Sequence, residues 1–534
     1  MLYYFGKQKF TSRDEVLTAL AQATRVAIDT EVAEDGRLIG VAMAWTPEDA
    51  VFFPRDSEEM PLEFLSRVPV VFHNALYDIA VLRDNYNILV NCIGDTMLLA
   101  QSCGYPPALG DLSFDFNFNH SHITSLIRGA TGKKIAKKKL GDAPIEDVAK
   151  LCSQHAEGTI KIWDALRESA PMAYHLDFSL IPVIQAMHDR GIRVDPQNAN
   201  RRYAVIKDEM DGIKDVCKDM GFNPGSTKQV GIALSNAGII TGFTRKGHME
   251  TGEEALSPFQ EMTPIVPLVL AYRERQKTAS TYLKPLLEVE RVYPHYHIVR
   301  TGRFASHPNI QNIPEGIRDL YLPEVGEWFW DADASQIEPR LMAWFSGDQK
   351  MWRDVSTGDV YQPIATRMRI SRYTAKQLVL AASYEAGADM LVSAAHRRGD
   401  TINNGDAQNL IDLFYKEYPR FKAWKQEVRQ DAERDGYVYT LLGRKRTLQD
   451  MVYDEYIGYD PLKKTVNTLI QGSAADLLKL AMWELRGEKL SATIHDEILI
   501  STDHDIDIAP LLSLGGIPLA WTVSKGENWK EVKQ

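Results

Sequence analysis

The chain has 534 residues, too many for one hydrophobic core, so we expect about two to four domains. Its 72 Asp and Glu residues outnumber 61 Lys and Arg residues, and the formal charge of −11 excludes a uniformly basic nucleic-acid binder, although it allows a basic cleft on an acidic body. The four cysteines form no CxxC pair, and the sequence has no apolar run typical of a signal peptide or a membrane span. We therefore expect a cytoplasmic protein without a zinc site or a disulfide framework.

Residues 1 to about 175 alternate strand-like and helix-like segments, which is typical of an α/β domain. VAIDTEV, LIGVAMAW and VVFHN predict strands, and DEVLTALAQA predicts a helix. Asp29 and Glu31 lie two positions apart on the first strand, so both side chains point to one face. There they can chelate a divalent metal ion or form a charged pair on an edge strand. Further on, VVFHNALYDIAVL supplies Asn74 and Asp78, and IGDTMLLA supplies Asp95.

A lysine-rich segment, TGKKIAKKKLGD, follows in the same region. It fits a solvated loop and a loop that contacts phosphates equally well. Its five lysines are Lys133, Lys134, Lys137, Lys138 and Lys139.

From about residue 178 to 300 the pattern is mostly helical. FSLIPVIQAMHDRG has helical periodicity and reaches a C-cap at Gly191. PLVLAYRERQKTAS predicts a long helix with Arg273, Arg275 and Lys277 on its polar side. After residue 300, strands and helices are mixed to the end of the chain.

Two carboxylate-bearing segments lie far apart in this last region. In EWFWDADASQIEPRLMAWFSGD we expect a buried strand over residues 328–332 and a helix from near Glu338, which leaves Asp333 at the strand end. SATIHDEILIST predicts a hairpin that presents Asp496 and Glu497. Phosphoryl transfer with two metal ions needs aspartates brought together in this way, although either segment alone also fits a helix cap or a surface charge.

A third segment, SRYTAKQLVLAASYEAGAD, repeats functional side chains every four positions. On a helix this spacing places Arg372, Lys376, Leu380 and Tyr384 along one face. Such a face can hold a triphosphate with its two cations and pack a sugar and base against its other two side chains. The same pattern also fits an ordinary amphipathic helix.

Together the three segments resemble the family A DNA polymerases, in the order that the family requires. DADASQIEPR resembles the first palm motif (DYSQIELR), RYTAKQLVLAASYEAG resembles the fingers helix, and IHDEI resembles the second palm motif. TGRFASHPNIQNIP, GYVYTLLGRKR and NTLIQGSAADLLKLAM resemble three further motifs of the family. The resemblance covers about residues 177–534.

The resemblance implies a role for each matching residue. Asp333 and Asp496 are implied to hold two Mg²⁺ ions, with Glu497 beside them and Lys376 as a general acid toward pyrophosphate. Glu338 is implied to be the steric gate against a ribose 2′-hydroxyl. The incoming nucleotide is then expected to contact Gln336, Glu338, Arg372, Lys376, Leu380 and Tyr384. The primer–template DNA is expected to contact Arg303, Gln311, Asn312, Arg444, Asn467, Gln471 and His495.

Three positions depart from the polymerase pattern. Ala334 replaces a tyrosine, Leu380 stands where the family has Phe or Tyr, and Glu385 replaces a glycine. None of the three replaces a metal aspartate, although Ala334 is next to Asp333, so we expect catalysis to survive. Sugar discrimination, fidelity and any preference for a modified base such as 2-aminoadenine stay open.

The N-terminal motifs resemble a DEDD-type 3′–5′ proofreading exonuclease over about residues 20–165. The resemblance implies that Asp29, Glu31 and Asp78 bind Mg²⁺ or Mn²⁺ and that Asn74 positions the scissile end. The last family motif, YxxxDxxxT, is altered: when LCSQHAEGT is aligned on its threonine, Leu151 and His155 replace the tyrosine and the aspartate. A histidine supplies less charge to Mg²⁺ than a carboxylate does. Either His155 or Glu157 completes the metal site, or proofreading is weakened.

The expected architecture is α/β and α+β, with an RNase H-like exonuclease domain followed by a right-hand polymerase domain. A single-subunit RNA polymerase is disfavoured because a gate at Glu338 excludes ribose. An inactive DNA-binding protein is disfavoured by the intact Asp333, Asp496, Arg372 and Lys376, and a nuclease whose C-terminal half only holds DNA is disfavoured by the changes at Leu151 and His155. We expect a monomer that acts on primer–template DNA and dNTPs. The layout, without a 5′-nuclease domain, resembles that of bacteriophage polymerases, which act in the host cytoplasm.

The expected bounds are 1–176 for the exonuclease domain, 177–534 for the polymerase domain, 190–300 for the thumb, 301–345 and 435–534 for the palm, and 346–434 for the fingers.

Overall fold

The structure is a computed structural model of the chain. It describes residues 2–8, 10, 12–58, 60–119, 140–244, 247–384, 387–396, 402–453 and 460–533. The predicted lysine loop, Lys133 to Lys139, and Glu385 lie outside the described residues. Across the described ranges, no helix is both long enough and apolar enough to cross a membrane.

The N-terminal region contains one mixed sheet, which confirms the predicted α/β fold. Its strands are β1 (Tyr3–Gly6), β2 (Val26–Val32), β3 (Leu38–Thr46), β4 (Asp49–Pro54), β5 (Pro69–Phe72) and β6 (Asn91–Asp95). The order across the sheet is β1-β4-β3-β2-β5-β6. In this order β1, β4, β3 and β2 pair with one another antiparallel. On its other side β2 pairs parallel with β5, and β5 pairs parallel with β6.

Helices cover this sheet, and the longest of them positions a site residue. Cys152, Ala156 and Ile160 are spaced four apart on the helix Ile145–Leu166, so they form one face that packs with Ala42 and Phe52 of the sheet. This packing fixes the rotation of the helix over β2 and β3. Among the described residues, the α-helices of the region are Arg13–Ala21, Leu62–Leu65, Ala75–Tyr86, Thr96–Ser102, Leu109–Asp115 and Ile145–Leu166.

The next region is mostly helical, as the sequence predicts. FSLIPVIQAMHDRG is divided at Leu180 into the helices Met172–Ser179 and Ile181–Arg190, because Pro182 in the first turn has no N–H to donate. Gly191 ends the second helix with a positive φ of 60°. The other helices are Pro196–Asp219, Thr227–Asn236, Glu253–Leu256 and Ile265–Lys277, and the last continues as a π-helical turn over Thr278–Leu283.

A four-stranded antiparallel sheet carries the predicted polymerase carboxylates. Short strands precede it: β7 (Ile192–Val194), β8 (Arg291–Val292), β9 (His295–Ile298), β10 (Phe304–His307) and β11 (Tyr321–Leu322). The sheet is built from β12 (Trp328–Ala334), β15 (Leu490–Ile494), β16 (Glu497–Thr502) and β19 (Trp521–Gly526), in the order β15-β16-β12-β19. The remaining strands are β13 (Tyr437–Tyr439), β14 (Lys445–Thr447), β17 (Ser513–Leu514) and β18 (Ile517–Pro518).

Helices fill the segment between β12 and β13 and flank the sheet afterwards. The long helix Thr465–Glu484 packs against the helix Ile337–Ser346, which begins directly after β12. The other helices are Gln349–Ser356, Tyr361–Met368, Arg372–Ser383, Ala388–His396, Asn404–Glu417, Pro419–Asp435 and Leu448–Tyr453.

A buried ion network joins the two halves of the chain and corrects one prediction. The Arg444 guanidinium is 1% exposed and donates to Asp177 Oδ2 at 2.8 Å and to Ser102 Oγ at 3.2 Å. Lys479 Nζ donates to the other Asp177 oxygen at 2.6 Å. Arg444 was expected to contact primer–template DNA, but in this structure its guanidinium is buried and paired with Asp177. The hydrogen bond from Arg444 to Ser102 links this network to the N-terminal region.

Replacing Arg444 with methionine tests this structural role. The Arg444→Met variant keeps most of the side-chain volume but leaves the Asp177 carboxylate with only Lys479, so we expect the free energy of unfolding to fall by about 3–5 kcal/mol in urea denaturation. Arg420→Met is the control, because Arg420 pairs with Glu427 at the surface and its loss should hardly change stability. An unchanged midpoint in Arg444→Met would contradict the assignment.

Candidate active sites

Strand pairing brings Asp333 and Asp496 together, as the two carboxylate segments predict. β12 pairs with β16 in a register that sets Asp333 opposite Glu497, and the Ala334 N–H donates to the Asp496 carbonyl at 3.0 Å. The hairpin turn between β15 and β16 is made by His495, with a positive φ of 54°, and Asp496. Burial, reinforced by the negative charges of Glu338 and Asp333, raises the pKa of Asp496 to about 6.

The residues after Asp333 turn the chain sharply into a helix. Gln336 has a positive φ of 55° and precedes the helix Ile337–Ser346, whose start agrees with the prediction near Glu338. Its side-chain carbonyl accepts from the Val360 N–H at 2.8 Å, and its amide donates to the Gly358 carbonyl at 2.5 Å. Gln336, predicted to contact the nucleotide, thus fixes the loop beside the site in this structure.

The predicted gate residue, Glu338, is held at both carboxylate oxygens. Arg303 donates to one oxygen at 3.0 Å, and the Tyr384 hydroxyl donates to the other. Burial and the Glu338 charge raise the pKa of Tyr384 above its ordinary range, so the hydroxyl stays a donor. Because Tyr384 caps the helix Arg372–Ser383, this contact ties the predicted fingers helix to the palm.

The helix Arg372–Ser383 presents the predicted cationic face. Arg372 and Lys376 are exposed, and Leu380 and Tyr384 are half-buried. Arg372 is already oriented: its guanidinium binds Asp359 at 2.5 Å and lies over the Tyr361 ring at 5.5 Å. The face therefore offers two accessible cations followed by a partly covered apolar surface.

The other predicted DNA contacts, Arg444 apart, lie in or beside the same cleft. Arg303, Gln311 and His495 line one recess. Gln311 donates to the Phe304 carbonyl at 2.9 Å. Asn467 Oδ1 is buried and has no hydrogen-bond partner among the described residues, which leaves an acceptor available to a ligand. Asn312 and His495 are exposed, whereas Gln311, Asn467 and Gln471 are half-buried.

Sequence reasoning missed two residues beside the polymerase carboxylates, Asp331 and Lys533. Asp331 is two positions before Asp333 and therefore on the same face of β12, but it is only 2% exposed. The Lys533 ammonium lies 2.8 Å from Asp331, 2.7 Å from Glu497 and 4.0 Å from Asp333. Burial lowers the pKa of Lys533, but the attraction of these carboxylates outweighs it and raises the pKa overall. Glu497 is therefore engaged by an ammonium.

In the N-terminal domain the structure brings Asp29, Glu31 and His155 together. His155 Nδ1 lies 3.4 Å from Asp29 Oδ2 and 3.5 Å from Glu31 Oε1. Within the described ranges this is the one cluster of histidine, cysteine and acidic side chains whose three ligand atoms lie within 4.8 Å of one another. Burial, with the Asp29 charge, raises the pKa of Glu31 to about 8. Burial alone lowers the pKa of His155, but the two carboxylates raise it overall.

The other predicted exonuclease residues lie around this cluster. Asp78 is buried and accepts from the Thr30 N–H at 3.2 Å and the Thr30 hydroxyl at 2.6 Å. The Asn74 N–H donates to Asp95, whose carboxylate caps the helix Thr96–Ser102. Glu157 lies away from the cluster, where burial and the charges of Asp49 and Glu48 raise its pKa to about 7 despite Lys161. The structure thus places His155, rather than Glu157, beside Asp29 and Glu31, and Leu151 is buried in the apolar core.

Comparison with known proteins identifies the family. The sequence signature of DNA polymerase family A matches residues 197–509, more than half of the chain, and that of a 3′-5′ exonuclease matches residues 8–169. The chain therefore belongs to DNA polymerase family A. Domains of both kinds generally use divalent metal ions.

Relatives and a solved structure agree with this assignment. DNA polymerase I of Chloroflexus aurantiacus is 27% identical over 98% of this chain and 63% of the relative, and that of Pseudomonas aeruginosa is 27% identical over 97% and 65%. The chain thus spans less than two thirds of these relatives. The POL domain of Pol1 from M. smegmatis, in complex with DNA primer-template and dNTP, has a TM-score of 0.77 at 20% identity and 99% coverage of both chains. The predicted fold, exonuclease domain followed by polymerase domain, is confirmed.

Removing the Lys533 ammonium tests its electrostatic role. Lys533→Met leaves the buried Asp331 and the adjacent Glu497 without their cation, so we expect the free energy of unfolding to fall by about 3 kcal/mol. Adding Asp331→Asn to this variant should recover part of the loss, because the buried charge is removed. Lys525→Met is the control, since Lys525 pairs with Asp505 at the surface and should contribute less than about 1 kcal/mol. Equal losses in both lysine variants, measured by urea denaturation, would refute the role.

Proposed function

We propose that the chain is a template-directed DNA polymerase that adds deoxynucleotides to a primer 3′-end. The observation that carries the proposal is the strand register that sets Asp333 beside Asp496. Two further observations support it. Glu338, the gate residue, is held by hydrogen bonds at both carboxylate oxygens. Arg372 and Lys376 are exposed on the adjoining helix. By similarity to its relatives, the partners are primer–template DNA and dNTPs.

The side chains of the cleft fit Mg²⁺ and divide the work of the reaction. Asp333 and Asp496 offer only oxygen donors, which Mg²⁺ prefers together with water and phosphate oxygens. When bound, Mg²⁺ neutralises phosphate charge and lowers the pKa of the primer 3′-hydroxyl. Arg372 exchanges Asp359 for the triphosphate, and Lys376 binds the same group and donates a proton to the departing pyrophosphate.

The gate works by occupying space beside the sugar. Glu338 is fixed by Arg303 and Tyr384, so its carboxylate cannot swing aside to admit a 2′-hydroxyl. Leu380, where the family has an aromatic residue, packs less surface against the sugar. Gln311, Asn467, Gln471 and His495 contact the nascent base pair.

The N-terminal domain acts, in this proposal, as a metal-dependent 3′–5′ exonuclease. Asp29, Glu31 and His155 hold the ion, and Asn74 positions the scissile end. Asp78 supports the cluster from its bonds to Thr30.

Primer extension with Asp333→Ala tests the polymerase. Loss of one metal carboxylate removes several kcal/mol of transition-state stabilisation, so we expect template-dependent extension to slow by about 1,000-fold or more. Asp505→Ala, a surface control, should extend as the wild type does. Fluorescence anisotropy with labelled primer–template verifies that Asp333→Ala still binds DNA. Undiminished extension by Asp333→Ala would refute the assignment of the site.

Ribonucleotide incorporation by Glu338→Ala tests the gate. Truncation opens space for the 2′-hydroxyl, so we expect kcat/KM for a ribonucleotide, relative to the matching deoxynucleotide, to rise by about 10- to 100-fold. Glu338→Gln keeps the volume and should keep most of the discrimination. If Glu338→Ala discriminates as well as the wild type, Glu338 is not the gate.

A further inference from the structure

The donor atoms of the exonuclease site differ in kind from those of the polymerase site. Asp333 and Asp496 are both carboxylates, whereas His155 brings an imidazole nitrogen between Asp29 and Glu31. We propose that the Asp29–Glu31–His155 site binds one first-row transition-metal ion, of the Mn²⁺, Co²⁺ or Zn²⁺ type, in preference to Mg²⁺. The inference rests on the proposed metal-dependent function of this domain.

The geometry of the three donors suits a single ion. Asp29 and Glu31 share one face of β2, and the packed helix Ile145–Leu166 delivers His155 over that face. Ligand atoms about 2.1 Å from one tetrahedral ion are about 3.4 Å from each other. The nitrogen lies 3.4 and 3.5 Å from its two carboxylate partners, so little movement is needed to close the site.

A buried carboxylate oxygen of Asp29 is a second observation that favours a cation site. Among the described residues, Asp29 Oδ2 is buried and has no hydrogen-bond partner. Burying such an atom is costly for a charged group unless a cation or a hydrogen-bond donor stands close to it. The His155 nitrogen at 3.4 Å lies beyond a good hydrogen-bond length, so it compensates only in part.

The ligand chemistry then selects the ion. Imidazole suits Zn²⁺ and the related transition metals, whereas Mg²⁺ demands near-octahedral oxygen ligands. Two carboxylates and a neutral imidazole carry a charge of about −2, which one divalent ion balances. Asp78, the third predicted carboxylate, accepts both Thr30 bonds at Oδ1 and is not one of the three clustered ligand residues. Three protein ligands also match the number in catalytic zinc sites, which keep one position open.

Nitrogen coordination can be measured directly with Mn²⁺ as the probe. The full chain carrying Asp333→Asn and Asp496→Asn, which remove the polymerase carboxylates, is loaded with one equivalent of Mn²⁺ and examined by pulsed electron paramagnetic resonance. We expect a nitrogen coupling from His155 that is absent in the same chain with His155→Asp. Glu157→Gln is the matched control, because Glu157 lies two residues away on the same helix and outside the cluster, and it should keep the coupling.

Competition with Mg²⁺ measures the preference. The Mg²⁺ concentration that displaces half of the Mn²⁺ should fall at least about tenfold in His155→Asp, because the third donor becomes an oxygen. If His155→Asp does not fold, as judged by its circular dichroism and melting temperature, His155→Gln tests the loss of the nitrogen coupling. Absence of nitrogen coupling in the parent chain, or equal displacement by Mg²⁺ in both chains, would overturn the proposal. His155 would then be a protonated partner of Asp29 and Glu31.

A parallel assay separates this inference from the proposed exonuclease function. Asp333→Ala is incubated with a labelled primer–template, without nucleotides, in either Mn²⁺ or Mg²⁺. The expected result is primer shortening in Mn²⁺, and at least about tenfold slower shortening in Mg²⁺. Nitrogen coupling without shortening in either ion supports the metal inference and removes the exonuclease function. Shortening in Mg²⁺ alone, without nitrogen coupling, supports the function and overturns the metal inference.

Discussion

Both candidate sites must offset the repulsion between carboxylates that the fold brings close together. At the polymerase site, burial and neighbouring acidic groups raise the pKa of Asp496 to about 6. Arg303 offsets part of this charge by binding Glu338, and Lys533 offsets more of it from the end of the chain. At the exonuclease site His155 stands in the same relation to Asp29 and Glu31. The polymerase site thus contains its own cations, whereas at the exonuclease site His155 can balance the carboxylates as a cation only when its Nδ1 does not bind a metal ion.

The rest of the architecture holds these clusters in register. Pairing of β12 with β16 sets the spacing of Asp333 and Asp496, and the packed helix Ile145–Leu166 sets the position of His155. Arg444, which is buried with Asp177, then links this region to the N-terminal region through its hydrogen bond to Ser102. A buried network of this kind specifies an arrangement, because any other packing leaves its charges without partners.

Local patterns in the sequence predicted much of the fold and the centre of each site. Alternation of period two placed Asp29 and Glu31 on one face, and an apolar–polar–apolar pattern predicted the hairpin that carries Asp496. Contacts between distant segments were not predictable in this way. Lys533 lies 202 positions from Asp331, and nothing in the segment GENWKEVKQ indicates that the second of its two lysines reaches the cleft. Arg444 was misassigned for the same reason, because a motif does not say whether an arginine faces the DNA or the interior.

Iron-directed cleavage of the backbone tests the central claim, that the chain holds an all-oxygen polymerase site and a mixed nitrogen–oxygen exonuclease site. Fe²⁺ with ascorbate and peroxide cuts the chain near bound ions, and mass spectrometry locates the cuts. The account predicts cuts near Asp333 and Asp496 and near Asp29 and His155, with added Mg²⁺ suppressing the first group at lower concentration than the second. Cuts at only one site, or equal suppression of both groups, would contradict it.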